Sequence, residues 1–195
     1  MPSQCLFSTG AGFRKSLQCC LWSPSDSRMI SYLSVALLSL CCLASSYPVP
    51  YSYSSAVGSG RGNSFTIQGG KVTAIRVWER PGSYITSLQL CYDNIWSAKI
   101  GPEGGTLHEL ELFKNERIVQ ISGKHNSYIY ELIFVTSGNR FLRVGQPSGN
   151  SFNFYASDKL AGLRMLSGRF NGLGITLLGA HWGEVPKSRW SLERR

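Results

Sequence analysis

Cysteine is scarce where it would matter most. Of the six cysteines in this chain, Cys5, Cys19, Cys20, Cys41 and Cys42 fall early, and Cys91 stands alone in everything that follows. A framework of internal disulfides is therefore excluded for residues beyond 42, and the fold must rest on its core. Catalytic patterns are missing too. His108, His125 and His181 lie far apart, without a spacing such as His-x-x-x-His that would hold a metal, and no Gly-x-Ser-x-Gly elbow occurs. Non-catalytic binding is the expectation, with no metal and no cofactor. No Asn-x-Ser/Thr sequon follows residue 46, and no window of helical length carries an apolar stripe. Acidic residues are few, 11 against 20 lysines and arginines.

What is present begins with the amino terminus. Residues 1–28 read as a leader of unknown role. Then Met29 opens a segment in which Arg28 precedes the apolar run Ile30–Leu43 and the small residues Ala44-Ser45-Ser46. A basic flank, an apolar run and small residues are the parts of a secretory signal peptide, here 29–46, cut before Tyr47. The run is shorter than the ~20 residues of a spanning helix, so a stable membrane span is not expected and a signal anchor is the minor alternative. Either Met1 or Met29 can start the chain. The expected location is extracellular or within a secretory granule. Beyond residue 46 the counts are 17 basic and 10 acidic residues, a balance of 17 − 10 = +7. That excess suits acidic partners such as sulfated polysaccharide or anionic lipid headgroups. Nucleic acid is not expected, because no nucleic-acid-binding motif accompanies the charge.

The remaining sequence reads as strands and turns. Residues 47–57 look like an extended entry segment, followed by the glycine-rich loop Gly58–Ser64. Strand-like alternation then runs through Val72–Trp78, Tyr84–Tyr92, Trp96–Ile100, Arg117–Ser122, Tyr128–Thr136, Phe141–Val144 and Ser151–Tyr155, with Leu107, Leu110 and Leu112 between. A last hairpin, Leu160–Trp182, is expected to turn around Arg169–Gly172. The tail 184–195 is basic. Cys91 alternates with Leu88 and Leu90 and reads as a small buried residue, with a reactive thiol or a dimer bridge as alternatives.

Two repeats give this list a plan. Tyr84-Ile85-Thr86-Ser87-Leu88 returns as Tyr128-Ile129-Tyr130-Glu131-Leu132, an offset of 128 − 84 = 44. Ser122-Gly123-Lys124-His125-Asn126 returns as Ser167-Gly168-Arg169-Phe170-Asn171, an offset of 167 − 122 = 45. Units of this length cannot bury an apolar face alone and must share a core. Three hairpins about an axis satisfy that need, within an all-β barrel, sandwich or prism. The offsets also pair Arg80, Lys124 and Arg169 as equivalent loop cations.

Gly58-Ser59-Gly60-Arg61-Gly62, Thr73–Val77, Val119–Lys124, Leu132–Thr136 and Leu178-Gly179-Ala180-His181-Trp182 resemble, in this order, a jacalin-related lectin of the zymogen granule protein 16 type. The resemblance covers residues 58–183 and implies a β-prism of three four-stranded Greek-key sheets about a pseudo-threefold axis. It further implies a glycan site of three loops at one end. The glycine loop falls on Gly60, Arg61 and Gly62, the recognition loop on Lys124, His125 and Asn126, and the binding loop on Phe170, Asn171, Gly172, Leu173, Gly174 and Thr176. Mannose-type glycans are what the family resemblance implies as ligands.

One position departs from the family. Its binding-loop signature Gly-x-x-x-Asp reads here Gly172-Leu173-Gly174-Ile175-Thr176, and no acid lies between Lys159 and Glu184. Losing a charged acceptor for two sugar hydroxyls costs about 1.5–3 kcal/mol, roughly tenfold to a hundredfold in affinity. Subtracting 45 from 176 points to Glu131 as the acid of a second site. Arg61, Arg80, Lys124 and Arg169 around one apex point instead to sulfate or phosphate groups. A prism whose sugar site has decayed into a scaffold for protein or lipid headgroups is the competing reading.

Overall fold

The computed structural model describes residues 51–184. The leader, the signal peptide, Tyr47–Pro50 and all of the tail beyond Glu184 lie outside the described residues.

Most strands are short runs carrying β-branched, aromatic or leucine side chains between turns. They form in the order β1 (Tyr51–Gly58), β2 (Asn63–Gln68), β3 (Val72–Glu79), β4 (Ile85–Tyr92), β5 (Ile95–Trp96), β6 (Thr106–Glu111), β7 (Ile118–His125), β8 (Ile129–Thr136), β9 (Phe141–Gly145), β10 (Asn150–Tyr155), β11 (Ala161–Phe170) and β12 (Ile175–Glu184). Pairing is antiparallel throughout and makes three four-stranded sheets, β5-β4-β3-β6, β10-β7-β8-β9 and β1-β12-β11-β2. Each is a Greek key around a central hairpin. This is the expected prism of three sheets.

The entry segment is more than an approach to the domain. Tyr51–Gly58 is a full strand, paired with β12 from Tyr51↔Gly183 to Gly58↔Leu177. Asn63–Gln68, which begins inside the expected loop Gly58–Ser64 and runs through residues the sequence pattern leaves unassigned, pairs along β11. These two early strands complete the sheet whose centre is the last hairpin. Ile95–Trp96 alone forms β5, and Ile100 adds a single bridge to Leu88. Asp93 and Asn94, both at positive φ, turn the chain from β4 to β5 in two residues, as a type I′ hairpin requires.

The three central hairpins repeat down to their irregularities. In β3–β4 the register passes from Trp78↔Ser87 to Glu79↔Ile85, in β7–β8 from Lys124↔Glu131 to His125↔Ile129, and in β11–β12 from Arg169↔Leu177 to Phe170↔Ile175. Thr86, Tyr130 and Thr176 are thus the extra residues of three equivalent β-bulges. A bulge turns the strand by one position, so residues three apart can face the same way. Ile85, Ile129 and Ile175 accordingly point inward together with Leu88, Leu132 and Leu178, all fully buried. With Phe134, Leu166 and Trp182 they fill the space between the sheets. Cys91 is free and buried, the small buried residue expected at that position.

Candidate functional site

Three hairpin turns meet at one end of the prism: residues 80–84, 126–128 and 171–174. Their side chains lock together. The Tyr84 and Tyr128 rings stack with centroids 4.5 Å apart, and Asn171 Nδ2 donates to the Tyr128 hydroxyl at 3.1 Å. Asn171 Oδ1 also accepts from the Leu173 and Gly174 N–H groups, which folds the last turn on itself. Gly174 is required by proximity, because a Cβ there would stand 2.6 Å from the Ile85 carbonyl oxygen and 2.9 Å from the Tyr84 ring.

Above each hairpin runs a crossing loop bounded by two glycines with three residues between them: Gly58–Gly62, Gly101–Gly105 and Gly145–Gly149. All six glycines have positive φ. The first of each pair lies against the bulge carbonyl, where a Cβ would come within 2.1 Å of Thr176 O, 2.2 Å of Thr86 O and 2.0 Å of Tyr130 O. Ser59 N–H donates to Thr176 O at 2.9 Å and Gln146 N–H to Tyr130 O at 2.8 Å. In the middle loop Pro102 has no N–H, and Ser87 Oγ instead donates to Pro102 O. Sequence reading gives a binding role only to the first of these loops and takes Gly101–Gly105 as the end of a strand. The signal for the others is there: Gly-x-x-x-Gly recurs at offsets of 101 − 58 = 43 and 145 − 101 = 44.

The loop positions inferred from the family form one neighbourhood, with shifts. Ser59 Oγ donates to Ser127 O at 2.8 Å, tying the glycine loop to the recognition turn. Gly60, Arg61 and Gly62 lie in the loop, Arg61 exposed. The final turn spans Asn171–Gly174, so Arg169 and Phe170 belong to β11 rather than to the turn. Lys124 and His125 likewise end β7, leaving Asn126 in the turn. His125 packs on Phe152, centroids 6.0 Å apart, and its Nδ1 is buried without a hydrogen-bond partner. Gly172 and Leu173 are exposed at the tip.

Thr176, the residue standing where the family has Asp, is 1% exposed. Its hydroxyl donates to the Arg61 carbonyl, so it holds the glycine loop down. A carboxylate has no proton to make that bond.

The four cations lie at the hairpin end of the prism but on different elements. By register, Lys124 and Arg169 are equivalent to each other and to Trp78, whereas Arg80 aligns with Asn126 and Asn171 in the turns. A constant offset misplaces Arg80 because the β3–β4 turn has five residues and the β7–β8 turn three. Arg169 Nη1 donates to Gly62 O at 3.2 Å, which sets it beside Arg61 at the glycine loop. Arg80 Nη1 reaches the Tyr84 hydroxyl at 3.4 Å, at the stacked tyrosines. Lys124 Nζ donates to Ser151 Oγ at 2.9 Å, on a different sheet.

Glu131 is neither solvated nor the counterpart of Thr176. Counting through the bulge makes Tyr130 that counterpart and Leu177 the counterpart of Glu131. The Glu131 side chain is 4% exposed and accepts from Arg143 Nε at 2.7 Å. His181 lies on the outer face of its sheet, where it exchanges hydrogen bonds with the Tyr51 hydroxyl at 2.6 Å and Ser167 Oγ at 3.0 Å. Partial burial lowers its pKa. A cleft of about 420 Å³ opens on the outer face of the β3–β6 sheet, lined by Arg76, Trp96, Glu109, Lys71 and Lys114 among others, away from the hairpin turns. Among the described residues no group of three or more His, Cys, Asp or Glu is placed to hold a metal ion.

A family model described as the jacalin-like lectin domain matches residues 54–181. Human zymogen granule membrane protein 16 is 38% identical over 164 residues, spanning 80% of this chain and 97% of that protein. Its mouse counterpart is 37% identical over 162 residues, 79% and 96% of the two chains. Among solved structures, a prostate-specific WGA16 glycoprotein lectin superposes with a TM-score of 0.61 at 30% identity, covering 68% of this chain and 99% of that one. A Malaysian banana lectin superposes at 0.59 and 17% identity, covering 68% and 98%, a likeness of fold.

Proposed function

The chain belongs to the jacalin-like lectin family, and from that premise we propose that it binds glycans without catalysis and prefers sulfated chains to neutral hexoses. The observation that carries this reading is the chemistry around Thr176. The family's acidic position holds a buried hydroxyl already donated to Arg61 O, while Arg61 and Arg169 stand together at the same loop. A hexose needs an acceptor for its hydroxyls, and a sulfate needs donors and positive charge. Gly60, Arg61, Gly62, Phe170, Asn171, Gly172, Leu173 and Gly174 supply the loop surface, with Arg80 at the adjoining turn. Lys124, His125 and Glu131 border the neighbouring sheet. Secretion through the 29–46 segment completes the proposal. It agrees with relatives named for the zymogen granule membrane.

The test is a glycan array carrying mannosides, galactosides and sulfated glycosaminoglycans, read at low and at physiological salt. Binding confined to sulfated chains, weakened by salt and by Arg61→Ala with Arg169→Ala, supports the proposal. Mannoside binding that is indifferent to salt refutes it. A second reading, a scaffold with a decayed sugar site, is favoured by the same engaged Thr176 hydroxyl and becomes the leading one if no glycan binds.

A further inference from the structure

The opposite end of the prism carries a separate surface. Strand alternation places the β4–β5, β6–β7, β8–β9 and β10–β11 turns there, away from the three hairpin tips. Phe113, in the β6–β7 turn, is 67% exposed, and Leu160, in the β10–β11 turn, is 64% exposed. Large apolar side chains at turn tips lose contact with water only when something covers them. Each has an exposed lysine as its chain neighbour, Lys114 and Lys159.

The two turns are joined. Arg117 Nη2 donates to Lys159 O at 3.1 Å, and the Arg117 side chain lies over Gly162, where a Cβ would come 2.9 Å from it. Arg140 stacks on the Phe113 ring at 3.8 Å. Of the acids of these turns, Glu116 is buried and held by Arg140, Thr136 and the Phe113 N–H, while Asp158 stays at the surface and accepts from the Leu160 N–H. Asp93 and Glu111 lie at this end on another sheet, where Asp93 faces the Lys71 N–H. The joined turns therefore present two apolar tips among Lys114, Lys159, Arg117 and Arg140.

Strand β12 also ends here. Glu184, the last residue of β12, pairs with Ala161 beside Leu160. The residues that follow include Lys187, Arg189, Trp190, Arg194 and Arg195 against the single acid Glu193.

We propose that this end docks on anionic phospholipid bilayers, with Phe113 and Leu160 entering the interface and Lys114, Lys159 and Arg117 facing the headgroups. A dissolved polyanion would use the cations and leave both apolar tips in water. A bilayer surface uses both, since apolar side chains enter the acyl boundary while lysines are drawn to anionic headgroups. The surface lies at the opposite end from the glycan loops and stands whether or not the glycan reading does.

The experiment is co-sedimentation of the full chain, recovered from expressing cells as they process it, with vesicles of phosphatidylcholine alone or with about 30% phosphatidylserine. Binding to the anionic vesicles is expected, falling roughly 25-fold in Lys114→Gln with Lys159→Gln, about fivefold for each lysine. Phe113→Ser with Leu160→Ser is expected to lower it about tenfold with the charge unchanged. All four positions are exposed, and an unchanged melting temperature verifies the fold. No preference for anionic vesicles overturns the proposal, as does full binding by the Phe113→Ser, Leu160→Ser protein. A chain ending at Glu184 is expected to retain the preference, and its complete loss there would assign binding to the tail and overturn the proposal. If the lysine variants lose heparin binding but keep vesicle binding, the surface belongs to polysaccharide and the proposal also fails.

Discussion

Thr176→Asp restores the family's carboxylate, and its outcome follows from the contacts described. The wild-type hydroxyl donates to the Arg61 carbonyl from a 1%-exposed position. Aspartate at neutral pH removes that donor, leaves the carbonyl unpaired and puts an anion beside its oxygen. Losing the hydrogen bond costs about 1 kcal/mol, and desolvating a carboxylate at the buried Thr176 position about 1–3 kcal/mol more. The expected destabilisation is about 2–4 kcal/mol at pH 7, a fall of roughly 8–16 °C in melting temperature at about 4 °C per kcal/mol. The pH dependence has a definite sign. Burial raises the folded pKa of the new carboxyl above its unfolded value. Acidification through that range therefore favours the folded state, and the introduced carboxyl, once protonated, regains a donor for Arg61 O. Thermal melts of the variant and wild type at neutral pH and at about pH 4.5 should show the gap narrowing in acid. Isothermal titration with methyl mannoside supplies the functional arm, with weak binding expected while the glycine loop is displaced. A variant as stable as the wild type at pH 7, binding mannoside tightly, would refute the role of Thr176 as a loop anchor.

Glu116 predicts an acid transition of the opposite sense. Hydrogen bonds from Arg140, opposed by desolvation and helped by Thr136 and the Phe113 N–H, bring its pKa from 4.5 down to about 2. Its stabilisation is complete above pH 4.5 and declines as pH falls toward 2. Glu116→Gln should cost about 2–3 kcal/mol at pH 7 and flatten that part of a stability-against-pH curve. Gly145→Ala places a Cβ 2.0 Å from Tyr130 O at φ +95°, whereas Gly82→Ala, at φ +69°, meets nothing within 4 Å. Denaturant melts should show more than about 3 kcal/mol lost in the first and about 1–2 kcal/mol in the second. Arg143→Leu leaves the Glu131 carboxylate buried without its partner and should cost about 2–3 kcal/mol. Arg143→Leu with Glu131→Leu should recover most of it in a double-mutant cycle.

Much of the prism is legible because its apolar pattern repeats. Ile85 and Leu88 recur as Ile129 and Leu132 at the offset of 44 and again as Ile175 and Leu178 at 175 − 129 = 46, and these six carry the axis. The bulges at Thr86, Tyr130 and Thr176 are not legible. A bulge adds a residue without changing composition, and unequal turns shift the count again. For that reason a fixed offset joins Thr176 to Glu131 and Arg80 to Lys124, pairs that register separates. β1 and β2 are hidden because Tyr51–Gly58 and Asn63–Gln68 are rich in serine, glycine and other small or polar residues. Their strand character comes from the partners they meet, β12 and β11, at long range in the sequence. The site is legible in its loops. The use of the Thr176 hydroxyl depends on a contact 115 residues distant in sequence, which no local pattern encodes.

The sheet built from both ends of the domain sets an order of events. Hairpins β3–β4 and β7–β8 join residues close in sequence, and their sheets can assemble while synthesis continues. Tyr51 must wait for Gly183, a separation of 183 − 51 = 132 residues, and closing such a distant pair is slow because chain entropy is lost before contacts are gained. The glycine loop and the Asn171 turn belong to that last sheet. Until the C-terminal strand has emerged and found β1, a nascent chain lacks the loop cluster proposed to bind glycans. On that proposal, glycan binding would report the completion of folding.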